Sequence, residues 1–206
     1  MASERLSDRD WIADYFQGKT GRFLDIGAYD GYGGSSLTYL LYEAGWSGVL
    51  VEPNPRHFLA MADKLCDNLP NLRLELVHCA ITVEGGLVRF FADDRGEVST
   101  IDDEWRERFA KGYGVPFKQY HVASITPRQL LWAFGGPHNW RFVNIDAEGV
   151  SIRLALALPW ERMDTEILCV EWDGQAGKDD LPKHLFPWFD VARFDATNIL
   201  FKRKGV

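Results

Sequence analysis

The chain has 206 residues, 46% of them hydrophobic and 26% charged, with 30 acidic and 23 basic residues and a formal net charge of −7. That is too apolar for a disordered acidic segment, and the length is that of a single α/β domain over residues 1–206 with a real core. The acidic balance argues against broad electrostatic binding to nucleic acid or to an anionic membrane, so neither is an expected partner.

Cys66, Cys79 and Cys169 have no metal-ligand spacing and read as reduced core thiols of a cytoplasmic protein. The N-terminal MASERLSDRD is charged and lacks the apolar stretch of a signal peptide, and no run approaches the ~18 apolar residues of a membrane span. No repeat or low-complexity tract interrupts an alternation of short apolar runs with helical stretches, the pattern of βα units on a parallel sheet.

In chain order, a short amphipathic helix is expected over Asp8 to Phe16 within an N-terminal segment 1–20, capped by Ser7 or Asp8 and closed by Gly18. Arg22 to Ile26 reads as a buried strand that runs into a glycine-rich turn, Gly27 to Gly34. A helix follows from Ser35 to Ala44, with Leu37, Leu40 and Leu41 on one face and Gly45 as its stop. Gly48 to Glu52 is the second strand, broken by Pro53 and Pro55. Arg56 to Asp67 is a helix, Leu72 to Ile81 a third strand, and Leu87 to Phe91 a hairpin partner after Gly85-Gly86.

The polar stretch 92–119 reads as an irregular insertion with a short helix at Asp102 to Lys111, and long irregular segments are often lids over a site. Pro127 to Phe134 is a helix, Arg141 to Ile145 a core strand, Val150 to Leu158 a helix and Glu166 to Val170 a further strand. Leu181 to Trp188 forms a last helix. Phe189 to Phe194 and Asn198 to Lys202 form an antiparallel hairpin around Asp195-Ala196-Thr197. Lys202-Arg203-Lys204 reads as a solvated tail end.

In an open parallel sheet, ligands bind beyond the carboxyl ends of the strands, near the switch point. Carboxylates collect there: Asp25, Glu52, Asp146 with Glu148, and Glu171 with Asp173. The turn after Asp25 needs glycine for positive φ and for close backbone approach, and the free N–H groups of the helix after it can hold an anion. A dinucleotide fingerprint, G-x-G-x-x-G, is incomplete, because Ser36 stands at the third glycine position after Gly31 and Gly33. A carboxylate in the place of Asp25 suits an ammonium better than a pyrophosphate. Glu52, at the tip of the next strand, can accept both hydrogen bonds of a ribose diol.

Three motifs, Phe23-Leu24-Asp25-Ile26-Gly27-Ala28-Tyr29-Asp30-Gly31, Val51-Glu52-Pro53-Asn54-Pro55 and Val143-Asn144-Ile145-Asp146-Ala147-Glu148-Gly149, resemble those of the FkbM-type S-adenosylmethionine-dependent methyltransferases. The resemblance runs from about Arg22 to Asp173. It implies a class I methyltransferase (Rossmann-like) fold: a mostly parallel seven-stranded sheet flanked by helices, with the last strand antiparallel.

For S-adenosylmethionine as cofactor, the resemblance implies contacts from Asp25, Gly27, Ala28, Tyr29, Gly31, Ser36, Glu52, Pro53, Asn54, Ala80, Ile81 and Asp146. The Gly27–Gly31 turn would hold the methionine part, Glu52 the ribose, and Cys79-Ala80-Ile81 the adenine. It further implies O-methylation of a hydroxyl on a sugar or small glycosylated metabolite, with Asp146, Glu148 and Glu171 as the catalytic candidates.

His121 and His138 are weaker base candidates. Tyr29, Tyr113, Tyr120 and Trp172 could stack on a sugar or ring. Carboxylates at Asp146, Glu171 and Asp173 could share a divalent cation, but no metal is expected. A homo-oligomer is compatible with the short chain, since a second subunit would help close the site. The alternatives are a non-catalytic nucleotide or S-adenosylmethionine binding module, and an NAD-type oxidoreductase.

Overall fold

A computed structural model describes residues 6–33, 36–68, 73–93, 97–172, 175 and 177–206, without side chains for 66–68. Asp173 and the start of the helix expected at Ser35 lie outside the described residues, as does the Cys66 side chain.

The apolar runs assemble into a seven-stranded sheet. Its strands are β1 (Arg22–Ile26), β2 (Ser47–Val51), β3 (Leu74–Val77), β7 (Phe142–Ile145), β8 (Ile167–Glu171), β9 (Phe189–Phe194) and β10 (Asn198–Arg203). Their order is β3-β2-β1-β7-β8-β10-β9. β1 pairs in parallel with β2 and β7, and β7 with β8, while β10 runs antiparallel between β8 and β9. The chain therefore winds outward from β1 in one direction and returns through β7 in the other, which opens a crevice above the carboxyl ends of β1 and β7.

Strands buried on both faces read as continuous apolar runs, and both faces here are covered. One face packs Phe23, Leu50, Phe142 and Cys169 under Ile12 of α1 (Asp8–Tyr15) and Phe16 that caps its C-terminus, Leu41 of α2 (Tyr39–Glu43) and Met61 of α3 (Pro55–Asn68). The other packs Leu24, Val49, Val143 and Leu168 under Leu130 of α5 (Pro127–Ala133), Leu154 of α6 (Ser151–Ala157) and Leu185 of α7 (Leu181–Leu185). α5 opens on a capping box in which Thr126 and Gln129 each satisfy the other's backbone N–H.

Several expectations need correction. α2 begins only at Tyr39, because Thr38 turns its hydroxyl to Asp25 Oδ2 (2.8 Å) instead of capping a helix. The glycine turn is thus not followed at once by helix amides free to hold an anion. The strand expected over Leu72 to Ile81 breaks at His78-Cys79, and Ala80–Ile81 forms β4 in a second sheet of order β4-β6-β5.

β5 (Gly86–Ala92) pairs with β6 (Lys118–Ile125) and not with its predecessor, since β6 lies between them. β6 was invisible in the sequence because Lys118 to His121 are all exposed and leave no apolar alternation. The 92–119 segment also holds α4 (Asp103–Tyr113), an 11-residue helix capped by Asp102 and ended by Gly114 at φ +65°. The last helix stops at Leu185, short of Trp188.

The basic C-terminal residues are not a solvated tail. Lys202 pairs in β10, Arg203 donates to the carbonyls of Trp160 and Met163, and Lys204 Nζ donates to Phe186 O at 2.6 Å. Cys79 and Cys169 are free and buried. No helix among the described residues is long and apolar enough to cross a membrane.

Candidate functional site

A cavity of about 970 Å³, counting its open mouth, lies above the tips of β1, β2 and β7. It is lined by Asp25, Gly27, Ala28, Tyr29, Ser36, Glu52, Pro53, Ala80, Ile81, Asp146 and Glu148 among the expected residues. Gly31 and Asn54 stand behind this lining. Gly31 accepts a hydrogen bond from Tyr42 Oη (2.7 Å) and packs near Met61. Asn54 is fully buried, and its side-chain amide donates to Ser99 Oγ at 3.0 Å.

The close approach at Gly27 is made by protein backbone and not only by a ligand. Gly27 has φ +84°, and a Cβ there would lie 1.7 Å from the carbonyl oxygen of Asp146. The backbones following β1 and β7 meet at this point, joined by Asp146 N–H donating to Ile26 O at 2.8 Å. Two residues on, Tyr29 also takes a positive φ of 52°, and its N–H donates to Glu52 Oε2 at 2.9 Å. That conformation is costly for a non-glycine residue and persists where neighbours hold it.

Register places Asn144 of β7 beside Asp25 of β1. Asn144 Nδ2 donates to Asp25 Oδ1 at 2.9 Å and Thr38 to Oδ2, so a carboxyl only 2% exposed has both oxygens engaged. Burial still raises its pKa above the ordinary value, opposed by those two bonds. Glu52 accepts Tyr29 N–H on Oε2 and Asn54 N–H (2.7 Å) on Oε1. Burial pushes its pKa up to about 8 against the pull of the two amides, and the Asp146 and Asp25 charges add to the rise.

The three catalytic candidates converge. Asp146, Glu148 and Glu171 place carboxylate oxygens all within 4.8 Å of one another. Asp146 is exposed to the cavity that it lines. Loss of solvent around it first, then the Glu171, Asp25 and Glu97 charges, holds its pKa well above normal. Glu148 rises to about 8 through desolvation and then the Asp146 charge.

Glu171 is fixed by Ser151 Oγ (3.2 Å) and Gln175 Nε2 (2.9 Å), while Ser151 Oγ in turn accepts Ala147 N–H. Glu148 Oε2 is buried without a hydrogen-bond partner of proper geometry, as is the indole nitrogen of Trp105 on α4 nearby. Three oxygens this close could reach one cation, and without one they must share protons.

The 92–119 segment contributes Glu97, Ser99, Thr100 and Ile101 to the cavity wall, and Thr100 Oγ1 donates to Glu148 O at 2.6 Å. Thr38, Asn144, Ser151, Gln175, Glu97 and Trp105 are site or support residues that no motif signalled, apart from Asn144, which stands inside the third motif. His121, His138 and Tyr113 are exposed and do not line the cavity. Tyr120 sits on β6, and Trp172 donates through Nε1 to Asp195 O at 3.1 Å. Tyr29 alone of the stacking candidates is in the lining.

No protein-family model matches the chain, and no curated protein matches it. Among solved structures it is similar to monomeric WbdD, with 12% identity and a TM-score of 0.51 over 98% of this chain and 42% of that one. It is similar to the methyltransferase FkbM from Methylobacillus flagellatus KT, with 13% identity and a TM-score of 0.54 over 97% of this chain and 45% of that one. It is also similar to magnesium protoporphyrin IX methyltransferase from Synechocystis PCC 6803, solved with bound SAM, with 13% identity and a TM-score of 0.51 over 95% of this chain and 78% of that one. The chain spans less than half the length of the first two. The likeness is one of architecture: the chain has the Rossmann-like α/β fold of these methyltransferases.

Proposed function

We propose that this chain is an S-adenosylmethionine-dependent methyltransferase that O-methylates a hydroxyl on a sugar or small glycosylated metabolite. One observation carries the reading: the buried carboxyls of Asp25 and Glu52, on adjacent strand tips, wall a cavity whose third strand tip adds Asp146 and Glu148. The donor set fits the cofactor. Glu52 spends one lone pair of each oxygen on an amide, which leaves acceptors for a ribose diol. Asp25 lies near an ammonium or a water bound to it, and Ala80 and Ile81 are buried apolar walls suited to adenine. Among the described residues no lysine or arginine lines the cavity, and carboxylates so placed favour a positively charged ligand over a pyrophosphate.

When bound, the cofactor supplies a methyl group already activated on a sulfonium. The residues then have to position, exclude water and move one proton. In-line displacement needs the nucleophilic oxygen roughly 3 Å from the methyl carbon. Asp146, at the cavity wall, would accept the proton of the acceptor hydroxyl as that oxygen takes the methyl group. Glu148 and Glu171 orient the acceptor and set the protonation of Asp146. The segment around Glu97 to Ile101 closes the acceptor side as a lid.

Asp146→Asn is expected to lower turnover by about 10²- to 10⁴-fold, the usual worth of a general base, while cofactor affinity changes far less. Labelled-methyl transfer together with calorimetry separates the two, and equal losses in both would remove Asp146 from the base role. Calorimetry with S-adenosylmethionine, S-adenosylhomocysteine and NAD tests the reading itself. Binding of NAD alone would replace it with an oxidoreductase. Cofactor binding with no methyl transfer across an acceptor panel would leave a binding module.

A further inference from the structure

Resting on the methyltransferase reading, we propose that Thr38 is a positioning residue for the amine of the cofactor: bound to Asp25, it turns the hydroxyl of Ser36 so that an acceptor faces the cavity, and so selects an ammonium there over an anion.

Three side chains form one line. Thr38 Oγ1 lies 2.8 Å from Asp25 Oδ2 and 3.1 Å from Ser36 Oγ. All three residues are buried. Asp25 and Ser36 line the cavity, and Thr38 stands behind them.

The direction of the protons follows from counting them. A carboxylate only accepts, and a hydroxyl has one proton to give. Asp25 Oδ1 takes the side-chain amide of Asn144 at 2.9 Å, and Oδ2 takes Thr38. Both bonds favour the ionised carboxyl against its burial. With its proton on Asp25, Thr38 can only accept from Ser36. Ser36 then has its own proton committed to Thr38, and a lone pair is what it shows the cavity. An ammonium, all donors, satisfies that lone pair, whereas a carboxylate or phosphate oxygen meets it as a second acceptor. Hydrogen bonds in a chain polarise one another, so the charge of Asp25 strengthens the acceptor at Ser36.

Thr38 forgoes the use its position offers. It stands at the N-cap of α2, where a threonine hydroxyl ordinarily accepts a backbone N–H of the first turn. It makes no such bond. Were Asp25 protonated on Oδ2, each link would reverse and Ser36 would offer a proton to the cofactor's carboxylate instead. The two arrangements therefore read different ends of the amino acid, which makes them separable.

Calorimetry on the full chain in neutral buffer uses three ligands that share adenosine. They are S-adenosylhomocysteine, its decarboxylated analogue, which keeps the amine, and methylthioadenosine, which has neither amine nor carboxylate. Thr38→Val keeps the shape and removes the hydroxyl. It is expected to weaken the first two ligands at least about tenfold, as loss of a buried bond to a charged group does, and to leave methylthioadenosine within about twofold. Ser36→Ala is expected to show the same pattern, and the double variant to lose little more than either, because the two hydroxyls act as one unit. Thr38→Ser retains the hydroxyl and is expected to recover most of the loss. Circular dichroism checks each variant, and should Thr38→Val not fold, Ser36→Ala and Thr38→Ser decide.

Unchanged S-adenosylhomocysteine affinity in Thr38→Val or in Ser36→Ala overturns the proposal. An equal loss for methylthioadenosine also overturns it, by making Thr38 a purely structural residue. So does a loss for S-adenosylhomocysteine that spares the decarboxylated analogue, since that puts the carboxylate at Ser36. Failure of the unaltered chain to bind S-adenosylhomocysteine sinks the methyltransferase reading instead, so the two failures are distinguishable.

Discussion

Gly27→Ala is expected to destabilise the protein by about 2–5 kcal/mol, the sum of a left-handed residue's strain and of overpacking against fixed backbone. The added methyl would stand 1.7 Å from the Asp146 carbonyl oxygen, at φ +84°. The obstacle is main chain, not the end of a flexible side chain, so β1 and β7 must part at their tips. That displaces Asp146 and loosens its N–H bond to Ile26.

Gly33→Ala is the control. Gly33 has φ +65° but nothing within 4 Å of a Cβ, so it loses only the conformational part, about 1–2 kcal/mol. At roughly 2–4 °C per kcal/mol for a chain of this size, thermal unfolding should separate the two variants clearly. A Gly27→Ala protein that melts with the Gly33→Ala protein would show that the strand tips have room to give.

Glu52→Ala is expected to raise the dissociation constant for S-adenosylmethionine at least about 100-fold, which is ~2.7 kcal/mol. The variant loses the proposed ribose acceptor. It also leaves the N–H groups of Tyr29 and Asn54 unpaired in a buried place, and the strained Tyr29 conformation loses its anchor. Calorimetry reads this directly, and wild-type affinity would remove Glu52 from the cofactor site.

The same carboxyl makes stability depend on pH. Its pKa is about 8 in the fold against 4.5 for an ordinary glutamate, and Glu148 behaves alike. Between these values the folded chain keeps a proton that the unfolded chain has lost. The contribution to stability is therefore complete below about pH 4.5 and is lost as pH rises through 8. The melting temperature of the free protein should fall from pH 5.5 to 8.5, with a shallower slope in Glu52→Gln. Binding a cationic cofactor favours the ionised carboxyls, so it should release protons in that window, and calorimetry in buffers of different ionisation enthalpy would measure them.

How much of this was legible follows from where each signal is stored. The parallel strands β1, β2, β7 and β8 were readable because burial on both faces demands unbroken apolar runs, and each run ends on a turn residue. The strand-tip acids were readable for the same reason, since a carboxylate closing such a run has no packing purpose. β6 was not, because a strand exposed over Lys118 to His121 carries no period. α2 was placed too early because its leucine spacing continues into residues that the fold uses to hold Asp25.

By itself, then, the sequence determined the α/β class, the buried parallel strands and the acids that close them, since these depend on local hydrophobic pattern, whereas the order of the strands came from the tertiary structure. Only the tertiary structure decided what those acids do to one another. Asn144 meets Asp25 across 119 positions, Ser151 and Gln175 brace Glu171, and three carboxyls from two strand ends converge within 4.8 Å. The raised proton affinities of Asp25, Asp146 and Glu148 come from distance and burial, and neither quantity is written in residue order.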